Sequence, residues 1–194
     1  MSTKHQEDFE KMAGIYSGRC EEFGDSPQAS QYTDKASQEV RMHRLLEVGD
    51  IQYARILDFG CGTGHLLTVL KRDYGFKGVF TGYDISEAMI QIAQENHPEA
   101  NFEVRDILSE GVGGRFDYIV ISGTFNILIA DNWSWMQETL KALFQSCDKA
   151  LSFNNLSTYV EYTDDDLFYV QPEQVFGFCK KNLSSAVTLR HDYV

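Results

Sequence analysis

Apolar positions along the chain follow two different rhythms. In the N-terminal third they recur every three or four residues. Phe9, Met12, Ala13 and Tyr16 predict a short amphipathic helix. Val40, Leu45, Leu46 and Val48 predict a second helix over about 34–48, with Gly49 as its stop signal. A Gly/Ser/Asp-rich loop at about 24–30 lies between them. From Ala54 onward, short apolar runs alternate with helical ones. Strands are predicted at 54–59, 78–84, 101–105, 116–122, 150–156 and 185–193. Helices are predicted at 65–74, at 86–96 with Ser86 as N-cap, at 133–147, and at 172–182 with Pro172 in the first turn. The run FDYIVIS at 116–122 is apolar almost without interruption, as suits a strand covered on both faces. This alternation predicts an α/β fold: a doubly wound, mostly parallel Rossmann-like sheet. No repeat and no flexible linker divides the chain. Residues 1–194 are expected to form a single domain, with a helical segment at 1–50 and an α/β core at 51–194.

Composition narrows the function classes. At 194 residues, 43% hydrophobic and 24% charged, the chain is long and apolar enough for an ordinary globular core. Seventeen Lys+Arg against 29 Asp+Glu leave a net charge of -12, which argues against phosphate-driven binding of nucleic acid. No run approaches the roughly 18 apolar residues of a membrane span, and the N-terminus lacks the apolar region of a secretory signal. Cys20, Cys61, Cys147 and Cys179 are widely spaced and form no CxxC pair. These features predict a reduced, cytoplasmic, metal-free protein with neither nucleic acid nor membrane as partner.

The chemistry concentrates in Asp58-Phe59-Gly60-Cys61-Gly62-Thr63-Gly64, between a predicted strand and a predicted helix. Gly60 and Gly62 lack the Cβ atoms that would hold a ligand off the backbone, and the turn opens onto a helix N-terminus that favours anionic or polar groups. Asp84 stands twenty residues past Gly64 at the end of the second strand, where a carboxylate can accept both hydroxyls of a ribose. Asp106 ends the third strand in the same way. A dinucleotide site has G-x-G-x-x-G, but here the third glycine comes one residue early and His65 takes the last position. Asp58 would oppose a pyrophosphate and suit an amino group. A nicotinamide-dependent oxidoreductase is disfavoured on both counts.

The stretches 56–66 (ILDFGCGTGHL), 79–86 (VFTGYDIS), 101–108 (NFEVRDIL) and 116–122 (FDYIVIS) resemble the four successive cofactor motifs of the class I S-adenosylmethionine-dependent methyltransferases. The resemblance implies that the turn Gly60-Cys61-Gly62-Thr63-Gly64 holds the methionine moiety of S-adenosyl-L-methionine, with Asp58 near its amino group. It implies that Asp84 takes the ribose hydroxyls and that Ile85 packs on the adenine. Asp106 would meet the adenine amino group, with Ile107 beside the ring. Ser122 and Gly123 would lie near the transferable methyl. Met89 would close the adenine pocket, although ordinary helix core explains it equally well. Tyr16 and Arg19 match the family's N-terminal lid loosely, which makes 1–50 the lid segment. The family's seventh strand, antiparallel beside the sixth, has no counterpart before Val194, so either the chain is cut short, which would leave an unpaired sheet edge, or the sheet is completed otherwise.

The resemblance leaves the acceptor open. Ser122-Gly123-Thr124-Phe125-Asn126 lacks the (Asn/Asp)-Pro-Pro-aromatic signature of enzymes that methylate adenine or glutamine nitrogen, and no Pro-Cys pair suits cytosine chemistry. A small-molecule methyl acceptor is the expectation and a protein side chain the second choice, with a non-catalytic S-adenosylmethionine-binding or partner-binding module of the same fold as the alternative. His65, His191, Tyr193, Tyr159 and Tyr162 are weak candidates for a base. His43 and His97 read as exposed helix or turn positions. Trp133, Trp135 and Phe125 would serve as pocket wall or as core. Neither the catalytic residue nor the oligomeric state is legible.

Overall fold

The computed structural model describes residues 3–30, 32 and 34–192, with side chains from Glu7 onward. Helices α1 (Thr3–Phe23) and α2 (Lys35–Leu46), joined by a 3-10 turn at Pro27–Ser30, precede the sheet. Then come β1 (Arg55–Phe59), α3 (His65–Tyr74), β2 (Val79–Asp84), α4 (Glu87–Asn96), β3 (Asn101–Val104), α5 (Ile107–Glu110), β4 (Phe116–Ile121), α6 (Asn132–Gln145) and β5 (Cys147–Phe153). All four strand pairings are parallel, and the order is β3-β2-β1-β4-β5. The order reverses between β1 and β4, the switch point outside which open α/β sheets bind their ligands.

Alternation along each strand builds the two cores. Ile56, Tyr118 and Val120 face α2, α3 and α4, where Leu46, Leu66, Leu70 and Ile90 bury against them. Leu57, Ile119 and Ile121 face the other way, onto Met136, Leu140 and Leu143 of α6 and onto Val175 and Phe178. Helices on both faces are why the central strands read as nearly continuous apolar runs. Four helices start on side-chain caps: Asp34 accepts from the Ser37 N–H at 2.8 Å, Ser86 from Met89 at 3.3 Å, Asp106 from Leu108 at 3.0 Å and Asp131 from Ser134 at 3.2 Å. Helix α1 lies across the carboxyl end of the sheet. There Met12 packs with Ile127 and Ile129, and Cys20 and Ala29 pack with Met89.

The C-terminal third departs from expectation. Strand β5 begins three residues before the predicted 150, because Cys147 already pairs with Phe116. The polar start of the strand hid this: Asp148 and Lys149 form ion pairs with Arg55, Arg115 and Asp117 at the sheet's lower rim. Two further short strands, β6 (Leu156–Ser157) and β7 (Tyr169–Val170), pair with each other, and α7 (Pro172–Asn182) follows. The sixth strand expected at 185–193 does not form; 185–192 carry no ladder. That tail is tied by side chains, Arg190 to Glu47 and His191 to Ser157, so no backbone partner turns its strand-like pattern into a strand. Among the described residues no helix is long and apolar enough to cross a membrane.

Candidate active site

Strand β1 ends in a turn that only glycines permit. Gly60 has φ 77° and Gly62 φ 53°, in the left-handed region. A Cβ on Gly60 would sit 2.1 Å from Thr124 Oγ1, and one on Gly62 would meet Ser30 Oγ at 3.0 Å. Bare backbone therefore lets the segment after β4 and the N-terminal segment close in from two sides. The turn is fixed to β2, since the Gly60 and Cys61 N–H groups both donate to the Tyr83 carbonyl, at 2.8 and 3.0 Å.

Asp84 organises the next layer. Its Oδ2 accepts from the Gly62 N–H and its Oδ1 from the Ser86 N–H, each at 2.9 Å. One carboxylate thus joins the glycine turn to the start of α4. Burial raises Asp84 above the usual carboxylate range, although these backbone donors pull the other way. Deeper, Asp58 is 2% exposed. Burial and the neighbouring Asp84 carboxylate push Asp58 up to about 8. No basic side chain pairs with it among the described residues. The same two acids, together with burial, hold the Cys61 thiol well above its ordinary value.

A cleft of about 60 Å³ opens above the turn. It brings together Tyr16, Gly60, Gly62, Asp84, Ile85, Met89, Ser122 and Gly123 from the sequence-predicted set. Asp58 lies beneath the turn and Gly64 starts α3 with φ 83°. Three predicted residues are placed elsewhere. The Cys61 side chain packs into the core against Gly82. Asp106 caps α5, its Oδ1 accepting from the Leu108 N–H at 3.0 Å, and Ile107 is buried beneath.

Sequence reasoning missed Met12, Ser30, Phe59, Tyr83, Arg105 and Thr124, which also line the cleft, as does Trp135, read from the sequence as pocket wall or core. Thr124 was within reach, two residues past Ser122. Ser30 sits in an aperiodic loop that only tertiary packing brings over the sheet. Nearby, the Tyr32 hydroxyl lies 2.9 Å from Ser122 Oγ and Ser17 Oγ 3.2 Å from Ser86 Oγ, so the N-terminal segment closes the cleft. Arg19 is held away from the cleft, on the Gln28 carbonyl.

The candidate bases are dispersed. His65 is engaged by Glu39 at 3.0 Å, outside the cleft lining. His43 pairs with the Tyr74 hydroxyl at 2.9 Å. His97, expected to be exposed, is buried, with Nε2 3.1 Å from Thr68 Oγ1 and its ring stacked on Phe102. His191 lies 2.8 Å from Ser157 Oγ, beside Tyr159, while Tyr162 points to solvent. Tyr193 lies outside the described residues. Phe125 is fully buried against Trp135, and Trp133 packs on Phe178.

Residues 52–162 match a family described as a methyltransferase domain. A putative methyltransferase of Mycobacterium tuberculosis, Rv1506c, is 35% identical over 147 residues, covering 71% of this chain and 86% of that protein. The malonyl-[acyl-carrier protein] O-methyltransferase of Bacillus cereus is 33% identical over 58% of this chain, though that stretch is only 43% of the relative. The solved DhpI-SAM-HEP complex has the same fold, with TM-score 0.67 and 16% identity over 93% of this chain and 90% of that one. The match spans more than half of the chain on a sheet of this order, and that assigns the family: the chain belongs to the class I S-adenosylmethionine-dependent methyltransferases, with S-adenosylmethionine as its cofactor.

Proposed function

We propose that this methyltransferase acts on a small-molecule acceptor by in-line methyl transfer. Asp58 carries the reading. A carboxyl group 2% exposed, with a second carboxylate as its electrostatic neighbour, is costly to ionise unless a cation arrives. The ammonium of a methionine moiety is such a cation, and the residues present fit the cofactor on that ground.

When bound, S-adenosylmethionine supplies an electrophilic methyl on a sulfonium that departs as a neutral thioether. The Gly60–Gly64 turn and Asp58 would hold the methionine end and Asp84 the ribose hydroxyls. Ile85 and Met89 would bracket the adenine, with Asp106 and Ile107 at its edge. Ser122 and Gly123 border the reacting end. With the leaving group built in, the chain's task is to position the acceptor and exclude water. The Ser122–Gly123 end would hold an acceptor in line with the carbon–sulfur bond, and no side chain of the chain is assigned the acceptor's proton.

A space of about 60 Å³ holds only a few waters. The cofactor is larger than this space, and we assign residues 1–50, whose Met12, Tyr16 and Ser30 line it, the role of a lid. The Bacillus cereus relative, an O-methyltransferase by name, makes oxygen the first acceptor atom to test. Calorimetric titration with S-adenosylhomocysteine, using NAD as control, tests the site. Binding of S-adenosylhomocysteine alone is expected; binding of NAD alone would overturn the assignment.

A further inference from the structure

Two hydroxyl contacts tie the N-terminal segment to the sheet, and they differ in kind. Ser17 Oγ lies 3.2 Å from Ser86 Oγ. Ser86 is fully buried and already accepts from the Met89 N–H as the cap of α4, so that contact belongs to the helix start. The other contact is Tyr32 Oη, 2.9 Å from Ser122 Oγ. Ser122 follows β4 directly, is half-buried and lines the cleft.

Tyr32 is aimed at this corner by its own segment. Its N–H donates to the Pro27 carbonyl at 3.0 Å, and the Arg41 guanidinium lies over the ring, 5.6 Å from its centroid. On the sheet side Gly123 makes room for the hydroxyl. A Cβ there would stand 3.0 Å from Tyr32 Oη, and its φ of 76° is in the left-handed region. Gly123 is itself fixed, its N–H donating to Asn154 Oδ1 at 2.7 Å and its carbonyl accepting from the Asn126 N–H at 3.3 Å. A phenol held by residues 27 and 41 therefore delivers its hydroxyl to a rigid corner of the cleft.

A hydroxyl both donates and accepts, so it can exchange one hydroxyl partner for another oxygen or nitrogen atom without leaving a bond unmet. Carbon offers no lone pair for that exchange, and sulfur only a weak one. We infer that Tyr32 is the positioning residue for the methyl acceptor: its hydroxyl, set against Ser122 and Gly123, hydrogen-bonds the oxygen or nitrogen atom that takes the methyl. This rests on the reading of Ser122 and Gly123 as the reacting end given above. Holding that atom in one direction is the contribution, since methyl transfer depends on alignment.

The test has two arms. Calorimetry compares S-adenosylhomocysteine with sinefungin, an analogue that carries an amine where the cofactor carries its methyl. Tyr32→Phe is expected to weaken sinefungin binding at least fivefold more than S-adenosylhomocysteine binding. Ser122→Ala should shift the ratio in the same direction, and it carries the test if Tyr32→Phe does not fold. Ser17→Ala loosens the segment at its other contact and should leave the ratio within about twofold. The second arm is NMR titration of the S-adenosylhomocysteine-loaded chain with phenol and with toluene, which has a methyl group in place of the hydroxyl. Phenol is expected to bind at least fivefold more tightly, and Tyr32→Phe should remove that preference. A Tyr32 that only latches the segment would move both cofactor analogues equally. That result, a ratio shifted as much by Ser17→Ala, or no preference for phenol in the unaltered chain would overturn the inference. Failure of the unaltered chain to bind S-adenosylhomocysteine would instead strike the cofactor reading, so the two failures are distinguishable.

Discussion

The β1–β2 half and the β4–β5 half of the sheet have the same architecture but leave different needs unmet. On the first side, Asp84 has both oxygens hydrogen-bonded and the turn amides are engaged, so the outstanding debt is one charge, on Asp58. On the second side no charge is stranded. Among the described residues, the buried side-chain atoms without a hydrogen bond lie from Asn126 to Asn155. The contrast separates an electrostatic demand in one half of the sheet from a hydrogen-bonding one in the other.

The harshest way to break this comparison is Asp84→Ala. Two hydrogen bonds to a charged group would be lost at about 1.5–3 kcal/mol each, and the Gly62 and Ser86 N–H groups would lose their acceptor. S-adenosylhomocysteine affinity should fall a hundredfold or more by calorimetry; unchanged affinity would remove Asp84 from the site. Gly60→Ala probes the turn itself. The left-handed backbone costs an L-residue roughly 1–2 kcal/mol, and the new Cβ also strikes Thr124, so denaturant unfolding should show about 2 kcal/mol of lost stability or more.

Asp58 sharpens the comparison through pH. Its folded value, about 8, lies above the ordinary 3.8, so between those limits the folded state holds a proton that the unfolded state has released. Stability should therefore fall as pH rises through that window, by up to about 1.4 kcal/mol per unit, and level off above it. Asp58→Asn should flatten the profile; an unchanged slope would mean that another group sets it. At pH 7, binding of S-adenosylhomocysteine should release close to one proton, read from calorimetry in buffers of different ionisation enthalpy. The mildest change is Tyr32→Phe, which removes the contact with Ser122 at 2.9 Å and should cost about 1 kcal/mol. Faster cofactor entry in stopped-flow fluorescence, with affinity altered only a few-fold, would identify Tyr32 as a latch; an unchanged entry rate would not.

The β1–α4 unit was readable residue by residue because its signals are local. A glycine turn needs its own glycines, a cap such as Ser86 sits beside the helix it caps, and a strand-end acid follows its strand. The lining contributed by Met12 and Ser30 was not readable, since those residues reach the cleft only when the N-terminal segment folds back over the sheet. His97 shows the same limit: its neighbours in sequence are polar, and only packing against Phe102 buries it.

The sequence by itself determined the alternation of strands and helices, the glycine turn and the carboxylates at the strand ends, and hence the family. Each of these is encoded within about ten residues, through backbone sterics and period. Tertiary structure decided the rest. Among the described residues five strands form the sheet, and the 185–192 tail is fastened by side chains rather than by a ladder. Tertiary contacts drew the N-terminal segment over the cleft above the glycine turn. Those outcomes depend on which distant surfaces meet, and a local pattern carries no information about the partner it will find.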